Sequence, residues 1–273
     1  MTFTADSIPS TPPKNGSNKP RLLSFRSIAA LILREMNTTY GRSPLGYLWA
    51  VLQPLGGIAL LVIIFSTGFR NPPIGTNFAI FYATGLMPFM LTMELANKLS
   101  QALNYSRQLL VYPRISFLDA IVARATLTIL THLLVSYLLI GGILLLFDTR
   151  TSLNAQGIAM AYAMAICLGF GLGTLLCFFI SLSSSFQQAW GIFTRPLLLV
   201  SGVIFIFDRV PEPYRSYLWY NPIIHVVGEM RSAFYLSYEA NYVSVGYVMG
   251  VSLCLGLFGL LFLRRYHRFI LYS

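Results

Sequence analysis

Few side chains in this 273-residue chain carry groups able to do chemistry within its apolar stretches, and they do not cluster. His132, Cys167, Cys177, Arg195 and Cys254 stand singly in hydrophobic surroundings, while Glu94, Asp119 and Arg124 fall near the ends of such stretches. The cysteines have neither metal-site nor redox spacing and read as small membrane-core residues. His132 has no carboxylate near it in sequence, which favours an interhelical hydrogen bond over proton carriage. Glu94, Asp119 and Arg124 are expected at a cytoplasmic interface and offer no proton relay. Arg195, beside Pro196 and several residues into an apolar block, costs at least about 2–3 kcal/mol there unless it reaches water or a polar path. Two readings of it stand: a structural arginine that snorkels, or a residue that faces an anionic substrate, with Trp190 and Phe193 on the same helix. There is no Walker A glycine-lysine loop, HExxH pair or nucleophile elbow. The chain therefore reads as a protein without a catalytic or metal site and without a cofactor of its own. Any active transport would draw its energy from an ion gradient or from another chain.

The densest group of polar and aromatic residues lies at 208–241. Asp208-Arg209-Val210-Pro211-Glu212-Pro213 leads through Tyr214, Tyr217, Trp219 and Tyr220 to Asn221-Pro222, and a second helical stretch carries His225, Glu229 and Arg231. Neither half is long or apolar enough to span a bilayer. Two short helices over 208–235 that dip into the outer leaflet and return would be tolerated if buried against protein or lining a cavity. The clustered Tyr and Trp fit an interfacial aromatic belt, and equally a stacking surface for sugar rings.

The elements that must position these groups are set by hydropathy. The chain is 56% hydrophobic and 10% charged, with mean hydropathy +0.66, and its apolar residues form six blocks. Expected spans cover about 47–69, 77–93, 117–147, 156–180, 189–207 and 242–263. Residues 1–20, rich in Ser, Thr, Pro and Asn, read as a disordered cytoplasmic tail and not as a signal peptide. Over 22–40, Phe25, Ile28, Ala29, Ile32 and Met36 share one stripe opposite Arg26, Arg34 and Asn37. That pattern predicts an amphipathic helix in the interface plane; a short soluble helix packed on another element is the alternative. Residues 94–116, with Lys98, Arg107 and Arg114, read as a short cytoplasmic helix. The Gly169–Gly173 spacing predicts close helix packing.

The net charge of +10 does not point to nucleic acid, because basic residues flank the spans. The tail, the 94–116 segment and the C-terminus together hold 12 Lys and Arg against 5 on the opposite side. Both termini are therefore expected in the cytoplasm.

The run Leu33-Arg34-Glu35 through Tyr40-Gly41-Arg42-Ser43-Pro44-Leu45-Gly46-Tyr47-Leu48-Trp49-Ala50, with Gln53-Pro54, resembles the entry motif of ABC-2 type permeases that export bacterial surface polysaccharides. It is most similar to the inner-membrane permeases for capsular polysaccharide in Gram-negative bacteria. Asn221-Pro222-Ile223-Ile224-His225-Val226-Val227, followed by Glu229 and Arg231, looks like the segment those permeases carry before their last span. The resemblance covers about residues 22–270.

It implies an all-α polytopic membrane protein of the ABC-2 (type V) exporter fold. Its parts would be six transmembrane helices, an N-terminal interface helix and short re-entrant helices before the last span, as one transmembrane domain over 21–273. It also implies a homodimer docked on two separate nucleotide-binding subunits, which would bind ATP and Mg. A periplasmic adaptor and an outer-membrane export channel would complete the system in the bacterial inner membrane. The cargo would be an acidic or lipid-linked capsular polysaccharide; O-antigen, teichoic acid, a lipid or a drug are the alternatives within the fold. By the same resemblance Arg34, Glu35, Arg107 and Arg114 would couple to the ATPase. Asn221, Pro222, His225, Glu229 and Arg231 would form the gate. Arg195, Trp190, Phe193, Tyr217, Trp219 and Tyr220 are the candidates for the substrate path. Outside this fold, a membrane scaffold would need no coupling region, and a glycolipid enzyme would need an acid/base or metal cluster.

Overall fold

The computed structural model describes residues 21–39, 46–110 and 116–272, and among these every regular element is helical. The tail 1–20, the 40–45 part of the entry motif, Arg114 and the side chain of Arg107 lie outside the described residues.

Helix α1 (Arg21–Thr39) precedes α2 (Gly46–Gly68), α3 (Phe78–Ser100) and the short α4 (Ala102–Leu110). Then come α5 (Phe117–Leu146), α6 (Ala155–Leu182) and α7 (Ser184–Val200). A 3-10 turn (Phe207–Arg209), α8 (Tyr214–Trp219) and α9 (Pro222–Phe234) lead to α10 (Val245–Tyr272). Local chemistry starts most of them. Asn77 and Asn154 cap α3 and α6 by accepting backbone N–H groups, and Ser116 with Asp119 forms a reciprocal capping box on α5. Asn221 caps α9, whose first turn holds Pro222, where the missing N–H costs nothing.

Five helices are long and apolar enough to cross a membrane: α2, α3, α5, α6 and α10. The sixth expected span, 189–207, corresponds to α7, which has 17 residues and stops at Val200. Gly202 then adopts a positive φ of 72°, and the chain turns away seven residues earlier than hydropathy suggested. In the second span the error runs the other way: α3 continues to Ser100, so residues 94–100 belong to it and only α4 stands apart.

Successive long helices reverse direction, so the 69–77 and 147–154 loops and the 201–244 segment share one end. Hydrogen bonds tie these parts together: Thr76 Oγ1 to Thr149 O, Arg209 Nη2 to Pro73 O, and Asn154 N to Ala233 O. Helices α1 and α4 sit at the opposite end.

Helix α6 packs between α3 and α10. A Cβ on Gly169 or Gly173 would meet α3 at Thr92 O (2.9 Å) and Leu99 Cβ (2.7 Å). One on Gly171 would meet Ser252 O of α10 at 2.5 Å. Because lipid tails are as apolar as Leu, such close backbone approach supplies the attraction that water would otherwise drive. The result is uneven burial. In α3, 78% of the apolar window is buried, whereas in α2 the figure is 17%, leaving Trp49, Leu60, Ile63 and Ile64 exposed.

Candidate functional site

Helix α9 is short because Asn221 caps it and Tyr235 ends it, and at 13 residues it rises about 20 Å, less than a bilayer core. It packs against α3, α6 and α10. Its inner face carries Arg231, which is only 2% exposed. The guanidinium donates three hydrogen bonds of 2.7 Å to main-chain carbonyls: Nη1 to Gly202 O and Phe205 O, and Nη2 to Val203 O. It also lies 4.2 Å over the ring of Phe81 on α3. Gly85, one turn further along α3, makes the space, since a Cβ there would stand 3.1 Å from Arg231 Nη2. Among the described residues, no carboxylate pairs with this charge. The carbonyls just beyond the C-terminal end of α7, where the helix dipole is negative, do so instead. Burial lowers the pKa to about 10, so the group remains charged at neutral pH.

Asn221 joins the same corner from the other side, with Nδ2 donating to Val200 O at 3.2 Å. The end of α7, the 201–206 turn and the start of α9 thus form one hydrogen-bonded knot. Glu229 is half-buried, and burial raises its carboxyl above the usual range.

His225 is buried on α9, with Nε2 2.8 Å from Trp219 O and Nδ1 accepting from Ser244 N at 3.2 Å. These partners assign the neutral tautomer with its proton on Nε2. A proton on Nδ1 would oppose the Ser244 N–H. Burial pushes the pKa below the ordinary histidine value, with the Trp219 carbonyl offsetting part of the effect. Lowering the pH through about 6.5 protonates the unfolded chain while the folded one resists. Stability contributed here is therefore present above that pH and lost below it. The melting temperature in detergent is expected to fall between pH 7.5 and 5.5, and less steeply in His225→Gln. Equal slopes in the two proteins would remove His225 as a source.

The aromatic candidates divide. Trp219 Nε1 donates to Tyr242 O at 3.2 Å, and its ring lies 5.0 Å from Tyr247 and edge-on to His225 at 5.1 Å. Tyr217 and Tyr220 are exposed. Trp219 and Tyr220 join Phe207, Glu212, Arg215 and Ser216 around an open cavity of about 320 Å³. Within it Arg215 Nε donates to Glu212 Oε1 at 2.9 Å, and the Ser216 hydroxyl to Glu212 Oε2 at 2.7 Å, which holds the Glu212 carboxyl below its usual range.

On α7, Trp190 Nε1 donates to Asn97 Oδ1 of α3 at 2.6 Å, which makes it a tether. Phe193 and Arg195 are exposed on the same helix. At the opposite end Arg34 is exposed, while Glu35 turns inward to Arg124 of α5.

Sequence reasoning expected an interhelical hydrogen bond at His132 but not its partner, and missed the partner of Arg124. Glu94, assigned to an interface, lies in α3 with Oε2 2.5 Å from His132 Nε2. The pair spans 38 positions, so no local spacing signals it. Arg124 likewise finds Glu35 across 89 positions. Among the described residues, no group of three or more His, Cys, Asp or Glu is gathered where it could hold a metal ion.

The sequence pattern of the ABC-2 type transporter family matches residues 26–235. The chain is 29% identical over 222 residues to the polysialic acid transport protein KpsM of Escherichia coli, covering 81% of this chain and 86% of that protein. It is 24% identical over 243 residues to the capsule polysaccharide export inner-membrane protein BexB of Haemophilus influenzae, covering 89% and 92%. A third relative, the O-antigen export system permease protein RfbA of Klebsiella pneumoniae, is 23% identical over 236 residues, covering 83% and 87%.

Proposed function

The chain belongs to the ABC-2 type transporter family, and from that premise we propose that it is the permease subunit of an ATP-driven exporter of capsular polysaccharide. The observation that carries this reading is similarity over most of the chain to proteins named for polysialic acid transport and capsule polysaccharide export. The relative named for O-antigen export supports a second reading, the same machine with that cargo.

In this reading the chain is a single transmembrane domain over 21–273, with 1–20 as a cytoplasmic tail and both termini in the cytoplasm of a cell with an inner membrane. It works as a homodimer with two nucleotide-binding subunits that bind ATP and Mg. The unburied faces of α2 and α7 support this arrangement, because a second copy would cover apolar side chains and enclose Phe193 and Arg195 at the seam. Helix α7 is the sixth crossing, shortened ahead of the turn whose carbonyls meet Arg231.

A hydrophilic polymer cannot cross roughly 30 Å of hydrocarbon unaided. Many weak contacts let it slide, and Arg195 offers charge to an acidic or lipid-linked chain without a fixed counter-ion. Among the described residues, Arg195 makes no ion pair. At the end shared by the 201–244 segment, α8 and α9 re-enter the outer leaflet as a gate, where Tyr217, Trp219 and Tyr220 present ring faces to sugar C–H groups. Glu212 and Arg215 supply hydrogen-bonding groups of the kind that orient hydroxyls. Polymer then passes to a periplasmic adaptor and outer-membrane channel. No bond is made or broken by this chain; ATP hydrolysis in the partner drives the change between closed and open states.

The test is surface glycan in a strain lacking the gene, restored with wild type or with Arg195→Glu, at matched membrane abundance. Deletion is expected to empty the surface and fill the cytoplasm with polymer. Wild type should restore export and Arg195→Glu should not. An unchanged surface in the deletion strain would move the assignment to another cargo.

A further inference from the structure

An ion pair, Arg124–Glu35, and a histidine–carboxylate hydrogen bond, His132–Glu94, lie away from the knot and the aromatic cavity, and both are carried on one face of α5. Arg124, Thr128, His132 and Ser136 recur every four residues, which aligns them along the helix. All four are buried, at 8, 7, 7 and 2% exposure. Arg124 Nε donates to Glu35 Oε1 of α1 at 3.0 Å, and the same guanidinium lies 4.2 Å over the ring of Tyr105 on α4. One side chain therefore joins three helices. Two turns along, His132 meets Glu94 and joins α5 to α3. A small void lined by Glu35, Glu94, Lys98, Thr128, Thr131 and His132 separates the two pairs.

A buried pair is weak evidence for stability, because apolar side chains of the same volume would serve as well. What it adds is registry. Arg124 cannot leave Glu35 without standing desolvated and alone, and His132 cannot leave Glu94 without losing its hydrogen bond, so the joined helices either move together or part in one discrete step.

We propose that Arg124 is a positioning residue that passes movement of α1 and α4 to α5, and that the His132–Glu94 pair passes it on to α3. This rests on the proposed function, in which a nucleotide-binding subunit couples to the chain through Arg34 and Glu35 of α1 and Arg107 of α4. Beyond Glu94, the α3 helix leads to Phe81 and Gly85 against Arg231, so the route ends at the knot that holds the candidate gate.

The experiment uses the complete transporter, with its nucleotide-binding subunit, in liposomes. It measures ATP hydrolysis and polymer moved per ATP for wild type, Arg124→Glu, Glu35→Arg, the double charge swap and the neutral double variant Glu35→Gln/Arg124→Gln. Each single reversal is expected to lower polymer moved per ATP by about tenfold, a typical size for a coupling effect. The swap should recover most of it. The neutral double variant leaves no lone buried charge, so it should assemble and yet stay uncoupled; it carries the test if the single reversals fail to fold. Wild-type stoichiometry in the neutral double variant, or a swap no better than the single reversals, overturns the proposal. If the wild-type complex hydrolyses ATP but moves no polysaccharide, the cargo reading fails by itself. The coupling role is then read from the hydrolysis rate of the complex relative to the free nucleotide-binding subunit. That ratio should shift in the single variants and return in the swap; an unshifted ratio overturns the proposal.

Discussion

Arg231→Met is expected to remove most of the folded protein from the membrane. Methionine fills similar space but offers no donor, so the carbonyls of Gly202, Val203 and Phe205 lose their partner inside the protein. Each unsatisfied buried carbonyl costs about 1–3 kcal/mol. Even with partial relaxation, the sum is a large share of the ~5–15 kcal/mol that holds a typical domain folded. The melting temperature of what survives in detergent should fall by roughly 8 °C or more, taking 2–4 °C per kcal/mol for a chain of this size. Arg231→Lys tests the geometry separately. An ammonium keeps charge and three donors but cannot lie flat on Phe81 while reaching all three carbonyls, so it should fall between the two. Arg231→Met melting within a degree or two of wild type would show that the knot contributes little.

The second large effect is expected at Gly259 on α10. A Cβ there would stand 2.6 Å from Leu175 N and 2.7 Å from Thr174 C, which are backbone atoms of α6 and cannot turn aside. Gly259→Ala must therefore push α6 and α10 apart, at a cost of about 1–3 kcal/mol for overpacking. Gly250→Ala on the same helix is the control, because nothing lies within 4 Å of its Cβ. By helix propensity alone both changes should stabilise. A lower melting temperature for Gly259→Ala beside an unchanged or higher one for Gly250→Ala isolates close packing as the cause. If the two behave alike, the close approach of α6 and α10 is not what sets stability there.

These two positions also show what could be read without coordinates. Hydropathy located the apolar blocks, and side chains that act within four residues of themselves were legible: Asn221-Pro222 as a helix start, and Gly169 with Gly173 as a packing surface. Both signals are local, carried by helix geometry and the cost of placing a polar backbone in hydrocarbon. The same locality explains what was not legible. Glu94 was read without a partner because His132 is 38 positions away, and with an unpaired charge at that position α3 looked shorter than it is. Arg231 stood out by the motif around it, but the carbonyls that hold it belong to a turn 26–29 positions earlier, which no motif records. Trp190 was grouped with the path-lining candidates, and its bond to Asn97, 93 positions away, had no local signal.

By itself, then, the sequence determined that this is a helical membrane protein of the ABC-2 kind and roughly where its helices begin. Those properties follow from transfer free energy and capping, which act residue by residue or within a turn. Only the tertiary structure decided which charges are paired, where α7 ends, and which helices keep an unburied face. A buried charge is stable only beside a partner, and that partner is chosen by how distant helices pack, which no local spacing records.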